Sequence, residues 1–232
     1  MKIIVIIPAR EGSKGLPGKN LKKLCGKPLV DYSILKALEI FDSQSIILTS
    51  DSIKILERGK KYGIRTIHRP KELASDRAQI IDTIFHTVNF SKSNFNMKCE
   101  NIMLLQPTFP IRKTSELKEA ISYFEENNLS SLVSVLRMKE HPCDCISIFN
   151  DNFDEWKYLL DPNKNTNRQS YSGDHFFISG NFYIAKTEFL KNNKGFLFKQ
   201  TKFLESKNHN SVDIDDLEDF EYAEYCISRI KK

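Results

Sequence analysis

Residues 3–20 read IIVIIPAREGSKGLPGKN, an unbroken apolar run that passes directly into a loop of glycines and cations. The run from Ile3 to Ile7 is short, rich in β-branched side chains and without a polar face. Such a run is typical of a strand that is buried on both faces, as strands are in the middle of a parallel sheet. Pro8 ends the run, and the stretch predicts an α/β fold with this strand near the centre of its sheet.

The loop after the strand combines backbone freedom with positive charge. Three glycines alternate with three cations over a few residues: Arg10, Gly12, Lys14, Gly15, Gly18 and Lys19. Glycine lets backbone N–H groups approach a ligand closely, and cations complement a polyphosphate. Open α/β sheets bind ligands at the carboxyl ends of their strands, so the loop predicts a nucleotide-phosphate site. The alternative is an ordinary solvated surface loop.

The glycine spacing fits neither of two common nucleotide motifs. A P-loop requires G-x-x-x-x-G-K-[ST], but five residues separate Gly12 from Gly18, and Asn20 stands where Ser or Thr is needed. The dinucleotide fingerprint G-x-G-x-x-G differs from the G-x-x-G-x-x-G spacing of this loop, which is also more cationic. Generic motifs therefore predict only an anionic, phosphorylated ligand.

Composition limits the class of protein. The chain has 232 residues, of which 40% are hydrophobic and 28% charged, and we predict one globular domain over residues 1–232. The net charge of +5 comes without a long basic run, which argues against nucleic acid as a partner. No apolar segment is long enough for a signal peptide or a membrane span. The five cysteines form no C-x-x-C pair, so we expect free thiols in a reducing cytoplasm.

Short apolar strands and amphipathic helices alternate along the chain. The first five strands are predicted at about 3–7, 45–49, 64–67, 101–105 and 132–136. This alternation predicts a doubly wound, mostly parallel sheet. Helical periodicity is lost between about 137 and 181, which indicates an excursion from the sheet before a return strand at 181–185.

Three finer predictions concern local structure. Ser75 is expected to cap a helix whose apolar positions run from 78 to 88, because serine is a preferred N-cap residue. The polar stretch 91–100 is expected to form a loop. Residues 211–215 are expected to form a last strand before the C-terminal helix.

An acidic cluster near the C-terminus contains a second candidate site. Asp213 and Asp215 alternate with an apolar residue, and strand alternation would place both carboxylates on one face. Two carboxylates suit Mg²⁺, which completes its shell with water and phosphate oxygens. The alternative is that Asp215 and Asp216 cap the final helix, whose N-terminus favours acidic residues. The cationic loop favours magnesium, because both features would then serve one ligand.

The N-terminal string as a whole is more specific than its glycines and cations. Residues 6–21 follow I-I-P-A-R-x-G-S-K-G-L-P-x-K-N-L, with Gly-Lys-Pro-Leu at 26–29. This string closely resembles the signature of the N-acylneuraminate cytidylyltransferases, which belong to a wider group of Rossmann-like sugar nucleotidyltransferases. The resemblance implies catalytic roles for Arg10 and Lys19, and it implies nucleotide contacts from Ala9, Arg10, Gly12, Ser13, Lys19 and Asn20.

Later segments resemble the same family in the same order. Residues 69–78 resemble its R-P-x-x-L-A-x-D segment, which implies base or ribose contacts by Arg69 and Ala78. Without the resemblance, Arg69 would be an ordinary surface arginine. Residues 104–112 resemble its L-L-Q-P-T-S-P-L-R segment, which implies that Gln106 lies between nucleotide and sugar. The alternative for Gln106 is a turn residue that satisfies backbone groups. The pair Asp213 and Asp215 is similar to the metal-binding aspartates of the family.

The sugar side of the resemblance is less complete. Arg168 and Gln169 resemble an R-Q pair of the family's sugar-binding region, and an arginine fork suits a sugar carboxylate. Phe109 replaces the usual serine, which we expect to alter local packing or the sugar pocket. The arginine that precedes the family's N-G-A-I-Y segment is absent before Ser179 and Gly180, which leaves the identity of the sugar open.

The resemblance implies an enzyme that transfers CMP from CTP to the anomeric hydroxyl of a nonulosonic acid, with Mg²⁺ as cofactor. It also implies a homodimer whose excursion reaches towards the partner's active site, so that Arg168 would serve the neighbouring subunit. Neither nucleic acid nor a membrane is expected as a partner. Two alternatives stay open. One is a related sugar nucleotidyltransferase that makes CMP-Kdo or an NDP-sugar. The other is a non-catalytic nucleotide-binding regulator.

Overall fold

The computed structural model describes residues 2–151, 154–161, 173–208 and 210–230 of the chain. Its strands are β1 (Ile3–Pro8), β2 (Lys23–Leu24), β3 (Lys27–Pro28), β4 (Ile46–Ser50), β5 (Arg65–His68), β6 (Asn101–Leu104), β7 (Ser131–Arg137), β8 (Ile146–Ile148), β9 (Trp156–Tyr158), β10 (Phe176–Lys186) and β11 (Lys202–Glu205). Its α-helices are α1 (Leu29–Leu38), α2 (Ile53–Lys61), α3 (Ile80–Phe95), α4 (Thr114–Glu126), α5 (Thr187–Asn193) and α6 (Leu217–Ile230).

Seven strands form one sheet in the order β11-β7-β10-β6-β1-β4-β5. β1 lies between β6 and β4 and is parallel to both, with Val5 opposite Met103 on one side and Ile46 on the other. β5 extends the parallel part beside β4, whereas β10 pairs antiparallel with β6. The prediction of a doubly wound, mostly parallel α/β sheet with β1 at its centre is therefore confirmed.

Alternate residues of β1 point into two separate hydrophobic cores. Ile3, Val5 and Ile7 join one core with α1, α2 and α4. Ile4 and Ile6 join a second core with α3 and α5. The two-residue period of a strand divides them in this way. Because helices cover both faces, the run has no position for a polar side chain.

The described chain divides into two compact units, residues 1–134 with 179–232 and residues 135–178. The first unit contains the body of the sheet and its helices. The second contains the hairpin of β8 and β9, and the excursion predicted at about 137–181 overlaps it. No helix within the described residues is both long enough and apolar enough to cross a membrane.

Two predictions around α3 are wrong. Ser75 does not cap this helix: residues Lys71–Ala74 form a 3-10 turn, Ser75 Oγ donates to the carbonyl of Glu72 at 2.8 Å, and α3 begins only at Ile80. The stretch 91–100 is not a loop throughout, because α3 continues to Phe95. Ser91 Oγ donates to the Thr87 carbonyl at 2.7 Å, so a polar side chain is satisfied inside the helix.

The predicted last strand at 211–215 is also wrong, because this segment forms no strand and is not part of the sheet among the described residues. The Ile214 N–H donates to the Thr108 carbonyl at 2.8 Å, and the Ser211 N–H donates to the Asn208 carbonyl at 3.1 Å. Val212 and Ile214 are buried while Asp213 and Asp215 are exposed, so the expected alternation is present without the strand pairing. Sequence periodicity reports which side chains are buried and not which backbone groups are paired.

Candidate functional site

A cavity of about 600 Å³ opens in the first unit, where β1, β5 and β6 end. Its wall includes residues from loops far apart in the chain, as expected for the carboxyl edge of an open α/β sheet. It brings together nine of the residues that the sequence singled out: Arg10, Ser13, Lys19, Asn20, Arg69, Ala78, Gln106, Asp213 and Asp215. The cationic loop and the acidic segment thus face one space.

The protein requires a glycine for different reasons at two of the three loop positions. Gly18 has a left-handed φ of 67° and directly precedes the 3-10 turn Lys19–Leu21, a conformation that side chains disfavour. Gly15 lies against the acidic segment, because a Cβ there would be 2.4 Å from the carbonyl oxygen of Asp215. A Cβ on Gly12 would meet nothing within 4 Å. Packing therefore explains Gly15 and backbone conformation explains Gly18, whereas neither requires a glycine at position 12.

Gly15→Ala is expected to destabilise the protein, since the added Cβ must push the backbone at Asp215 away from the loop. Overpacking of this kind costs about 1–3 kcal/mol. In a domain of this size that lowers the melting temperature by roughly 2–10 °C, which thermal unfolding measures directly. Gly195→Ala is the control, because a Cβ there meets nothing within 4 Å. Equal melting temperatures for the two variants would contradict the contact.

Lys19 joins the loop to the acidic segment. Its side chain is buried, its Nζ donates to the Ile214 carbonyl at 2.6 Å, and the same Nζ lies 3.7 Å from Asp215 Oδ1. Leu16 and Ile214 share a small hydrophobic core with Phe220 of α6 beneath this contact. A fixed ammonium group therefore stands at the boundary between the cationic and acidic sides of the cavity.

Asn20 and Arg69 each leave a buried polar atom without a partner among the described residues. The Asn20 amide Nδ2 donates to the Arg10 carbonyl at 2.7 Å and so ties the two ends of the loop together, but its Oδ1 is unpaired. Arg69 donates to Thr83 Oγ1 at 3.3 Å, but its Nε is unpaired. Buried polar groups nearly always have a partner. One acceptor and one donor in the cavity wall are therefore available to a ligand.

Charge is concentrated around Asp76, which the sequence analysis did not assign. Its Oδ1 accepts from Arg10 Nη1 at 2.8 Å, and its Oδ2 lies 3.1 Å from Lys14 Nζ. The hydrogen bonds from Lys14 and Arg10 hold the pKa of the Asp76 carboxyl below its usual range. Burial lowers the pKa of Arg69, and nearby Arg10 acts in the same direction while Asp51 opposes it. An anionic ligand would relieve this crowding of cations.

The acidic cluster divides between a helix cap and the cavity. Asp216 and Asp219 cap α6 reciprocally: Asp216 Oδ1 accepts from the Asp219 N–H at 3.0 Å, and Asp219 Oδ2 accepts from the Asp216 N–H at 3.3 Å. Asp213 and Asp215 instead line the cavity, and the Asp215 side chain is 86% exposed. Of the two residues that the capping alternative named, only Asp216 has its carboxylate in the cap.

Gln106 and Asp213 converge on Gly180 of β10. A Cβ on Gly180 would lie 3.1 Å from Asp213 Oδ2 and 3.4 Å from Gln106 Oε1. Phe109 packs against the same glycine and is 1% exposed. Phe109, which replaces the serine usual in the family, is therefore part of the packing beneath the site. Its ring does not line the cavity.

Other predicted site residues lie elsewhere. Ala9 is fully buried, and its N–H donates to the Thr49 carbonyl at 3.0 Å, so it supports the loop from below. Gly12 is exposed and does not line the cavity. Arg168 and Gln169 fall outside the described residues. Of the lining residues that the sequence analysis did not assign, Lys14, Gly15 and Asp76 stand inside the quoted motifs, whereas Thr83 lies on a helix face that no motif marks.

The chain is similar to known proteins over most of its length. The family model described as cytidylyltransferase matches residues 4–226. An N-acylneuraminate cytidylyltransferase of Streptococcus agalactiae is 32% identical over 225 residues, which are 95% of this chain and 52% of that protein. The chain therefore spans about half the length of this relative. A CMP-N,N'-diacetyllegionaminic acid synthase of Legionella pneumophila is 32% identical over 219 residues, 93% of this chain and 91% of that protein.

A solved structure shares the fold. It is the structure of CMP:2-keto-3-deoxy-manno-octonic acid synthetase complexed with CTP, with a TM-score of 0.72. The alignment covers 99% of this chain and 100% of that chain at 14% identity. At 14% identity, this similarity shows that the two chains share a fold.

Proposed function

This chain belongs to the cytidylyltransferase family, and from that premise we propose that it transfers CMP from CTP to the anomeric hydroxyl of a nonulosonic, sialic-acid-like sugar. One observation carries the proposal. A single cavity combines a glycine-rich cationic loop with two exposed carboxylates about 200 positions away in the chain. A nucleoside triphosphate with its magnesium ion is a ligand that uses both features. The names of the relatives supply the class of sugar.

In the proposed reaction the anomeric oxygen attacks the α-phosphorus of CTP. A bond forms between that oxygen and phosphorus, the bond from phosphorus to the pyrophosphate oxygen breaks, and the hydroxyl proton leaves to solvent. Catalysis then consists mostly of positioning and charge stabilisation. Arg10 and Lys19 neutralise the phosphates, and the backbone at Ser13 helps to cradle them. Gly12 does not line the cavity, so its phosphate contact is proposed on the resemblance alone. The crowding of Arg10 and Arg69 in the cavity wall supports this assignment.

The nucleoside and the sugar occupy opposite sides of the phosphates in this proposal. Asn20, Arg69 and Ala78 face the nucleoside, and the unpaired Asn20 Oδ1 and Arg69 Nε offer it one acceptor and one donor. Gln106 stands between nucleotide and sugar. Arg168 and Gln169 are assigned to the sugar carboxylate on the resemblance alone.

Asp213 and Asp215 are the residues proposed to hold Mg²⁺. Both carboxylates line the cavity, and that donor set fits an ion that takes one or two carboxylates and fills its shell with water and phosphate oxygens. When bound, the ion would neutralise phosphate charge and polarise the reacting oxygen. Lys19, which contacts the same segment, would keep the loop in register with these carboxylates.

We also propose that the protein is a homodimer in a reducing, cytoplasmic setting. In the second unit, Ile146 pairs across the hairpin with Tyr158, and Ile148 pairs with Trp156. All four are exposed, with Ile146 at 50% and Trp156 at 48%. An exposed apolar ladder of this kind is typical of an interface. All five cysteines are free thiols, which supports the cytoplasm.

Ile148→Asp is expected to convert the dimer to a monomer, because it places a charge in this apolar ladder directly opposite Trp156. Size-exclusion chromatography with light scattering at micromolar concentration measures the mass. Ile53→Asp is the matched control, since Ile53 is 65% exposed on α2 in the first unit. A monomeric wild type, or a dimeric Ile148→Asp variant, would contradict this interface.

The function is tested with CTP, Mg²⁺ and a panel of sialic, legionaminic and pseudaminic acids with Kdo, by following pyrophosphate. Release with one nonulosonic acid is the expected result and identifies the substrate. Release with Kdo alone would favour the related CMP-Kdo enzyme, whose fold this chain shares. CTP binding without turnover on any sugar would favour the non-catalytic regulator. Absence of CTP binding would contradict the assignment of the loop.

A further inference from the structure

Arg112 is a buried cation that donates hydrogen bonds to three separate segments of the chain, one of which, at Gln106, lines the cavity. Its side chain is part of the core, with 5% of the residue exposed. Nε donates to the Asn181 carbonyl at 2.6 Å, and Nη2 donates to the carbonyls of Gln106 at 2.6 Å and Gly180 at 3.1 Å. Nη1 donates to Ser33 Oγ at 2.9 Å.

All of these acceptors are neutral, although the guanidinium carries a charge. No carboxylate among the described residues accepts a hydrogen bond from Arg112, and burying a charge without an ion pair is unfavourable. Burial lowers the pKa of Arg112 to about 9, and the Asp213 carboxylate opposes this shift. The guanidinium also lies 5.5 Å from the centre of the Phe109 ring. The guanidinium also contacts the carbonyl of Gly180, the residue on which Asp213 and Gln106 converge.

Arg112 also fixes an irregular point of β10. In a regular strand, successive carbonyls point to opposite sides, but a single guanidinium here reaches those of both Gly180 and Asn181. Ser134 Oγ holds the backbone on either side of this point, with contacts to the Ser179 and Phe182 carbonyls at 3.1 and 2.9 Å. Irregular strand points of this kind re-aim side chains beside active sites.

The residue that Arg112 holds lies directly beneath two proposed site residues. A Cβ on Gly180 would come within 3.1 Å of Asp213 Oδ2 and 3.4 Å of Gln106 Oε1. A movement of this backbone would therefore displace both side chains. The Gln106 carbonyl is held by the same guanidinium group, so one cation sets both positions.

We propose that Arg112 is the positioning residue of the acidic side of the cavity. It holds Gly180 and Gln106 by their carbonyls so that Gln106 and Asp213 face one ligand. This inference rests on the proposed function, because it assigns Asp213 to the metal that accompanies the nucleotide. Arg112 contacts no reacting atom in this scheme and acts through its neighbours.

The test is CTP binding by calorimetry, without sugar, in EDTA and again in Mg²⁺. Arg112→Lys replaces the planar fork of the guanidinium with a single amine, which cannot reach all four acceptors. We expect its CTP affinity in EDTA to stay within about twofold of wild type, because the cationic loop is untouched. The gain in affinity on adding Mg²⁺ should fall about 10- to 100-fold, as for outer partners of metal ligands. In an Asp213→Asn background, Arg112→Lys should cause less than about a twofold further loss.

Arg58→Lys is the matched control. Arg58 is a partly buried arginine on α2 that donates to Asp31 Oδ1 at 3.0 Å, and neither residue lines the cavity. It should lower the melting temperature and leave both CTP affinities unchanged. Gly180→Ala is a second probe that keeps Arg112 and displaces Asp213 directly. Gly180→Ala should show the same selective loss of the gain in CTP affinity on adding Mg²⁺. If Arg112→Lys does not fold, this variant tests whether the position of Gly180 controls that gain.

Distinct outcomes overturn the two proposals. If wild type binds CTP and both Arg112→Lys and Gly180→Ala keep its full magnesium gain, Arg112 is merely structural and this inference fails alone. The inference also fails alone if the losses from Arg112→Lys and Asp213→Asn multiply independently. If wild type binds no CTP, the proposed function fails and takes the inference with it.

Discussion

Lys19→Ala is expected to lower turnover by about 100- to 1000-fold, the loss typical of removing one preorganised donor to a developing negative charge. The Nζ is fixed by the Ile214 carbonyl at 2.6 Å, so it stands ready at the edge of the cavity before substrate arrives. A lysine held in this way requires no rearrangement during reaction, which is the physical reason for the large effect. Single-turnover pyrophosphate release with saturating CTP measures it.

Lys19 also has a structural contact, so the loss of turnover must be separated from loss of fold. Alanine leaves the Ile214 carbonyl without its donor and removes buried methylenes as well. Lys19→Met keeps most of those methylenes and removes only the charge and the donor. Both variants should lose turnover equally while differing in melting temperature. A Lys19→Met enzyme with near-normal turnover would show that packing, rather than the ammonium charge, is what the reaction needs.

Asp213→Asn is expected to lower turnover by at least about 100-fold at physiological magnesium, because even outer partners of metal ligands are worth about 10- to 100-fold. The asparagine keeps the shape of the side chain beside Gly180 but loses the charge that a cation requires. Raising Mg²⁺ should restore part of the rate, since weaker binding is overcome by mass action. The magnesium concentration that gives half-maximal rate is the quantity to measure.

Asp216→Asn is the control for that experiment, because Asp216 lies three residues further on in the same acidic cluster. Its carboxylate accepts from the Asp219 N–H and caps α6, and asparagine is an equally good N-cap residue. Turnover and magnesium dependence should therefore stay at wild-type values. A loss as large as that of Asp213→Asn would mean that net negative charge near α6, rather than a cation site on Asp213, supports the reaction.

Local sequence was sufficient for the parts of the fold that depend on neighbours in the chain. The apolar run of β1 indicated a strand with two covered faces, and the structure places its alternate residues in two cores. The strand order confirmed the predicted doubly wound sheet, and the match over residues 4–226 confirmed the family. The failures at Ser75, at 91–95 and at 211–215 share a cause. Each depended on where backbone hydrogen bonds go, which hydrophobic periodicity does not report.

The sequence by itself determined a central strand, a cationic glycine loop and a pair of acidic residues, because side-chain chemistry and spacing are local properties. Only the tertiary structure decided what these features touch. It placed Gly15 against Asp215, joined Lys19 to Ile214 and bound the buried Arg112 guanidinium to the carbonyls of Gln106 and Gly180. It also separated Asp216 in the helix cap from Asp215 at the cavity. These contacts join residues up to about 200 positions apart, and packing across such distances is set by how sheets and helices stack rather than by any pattern along the chain.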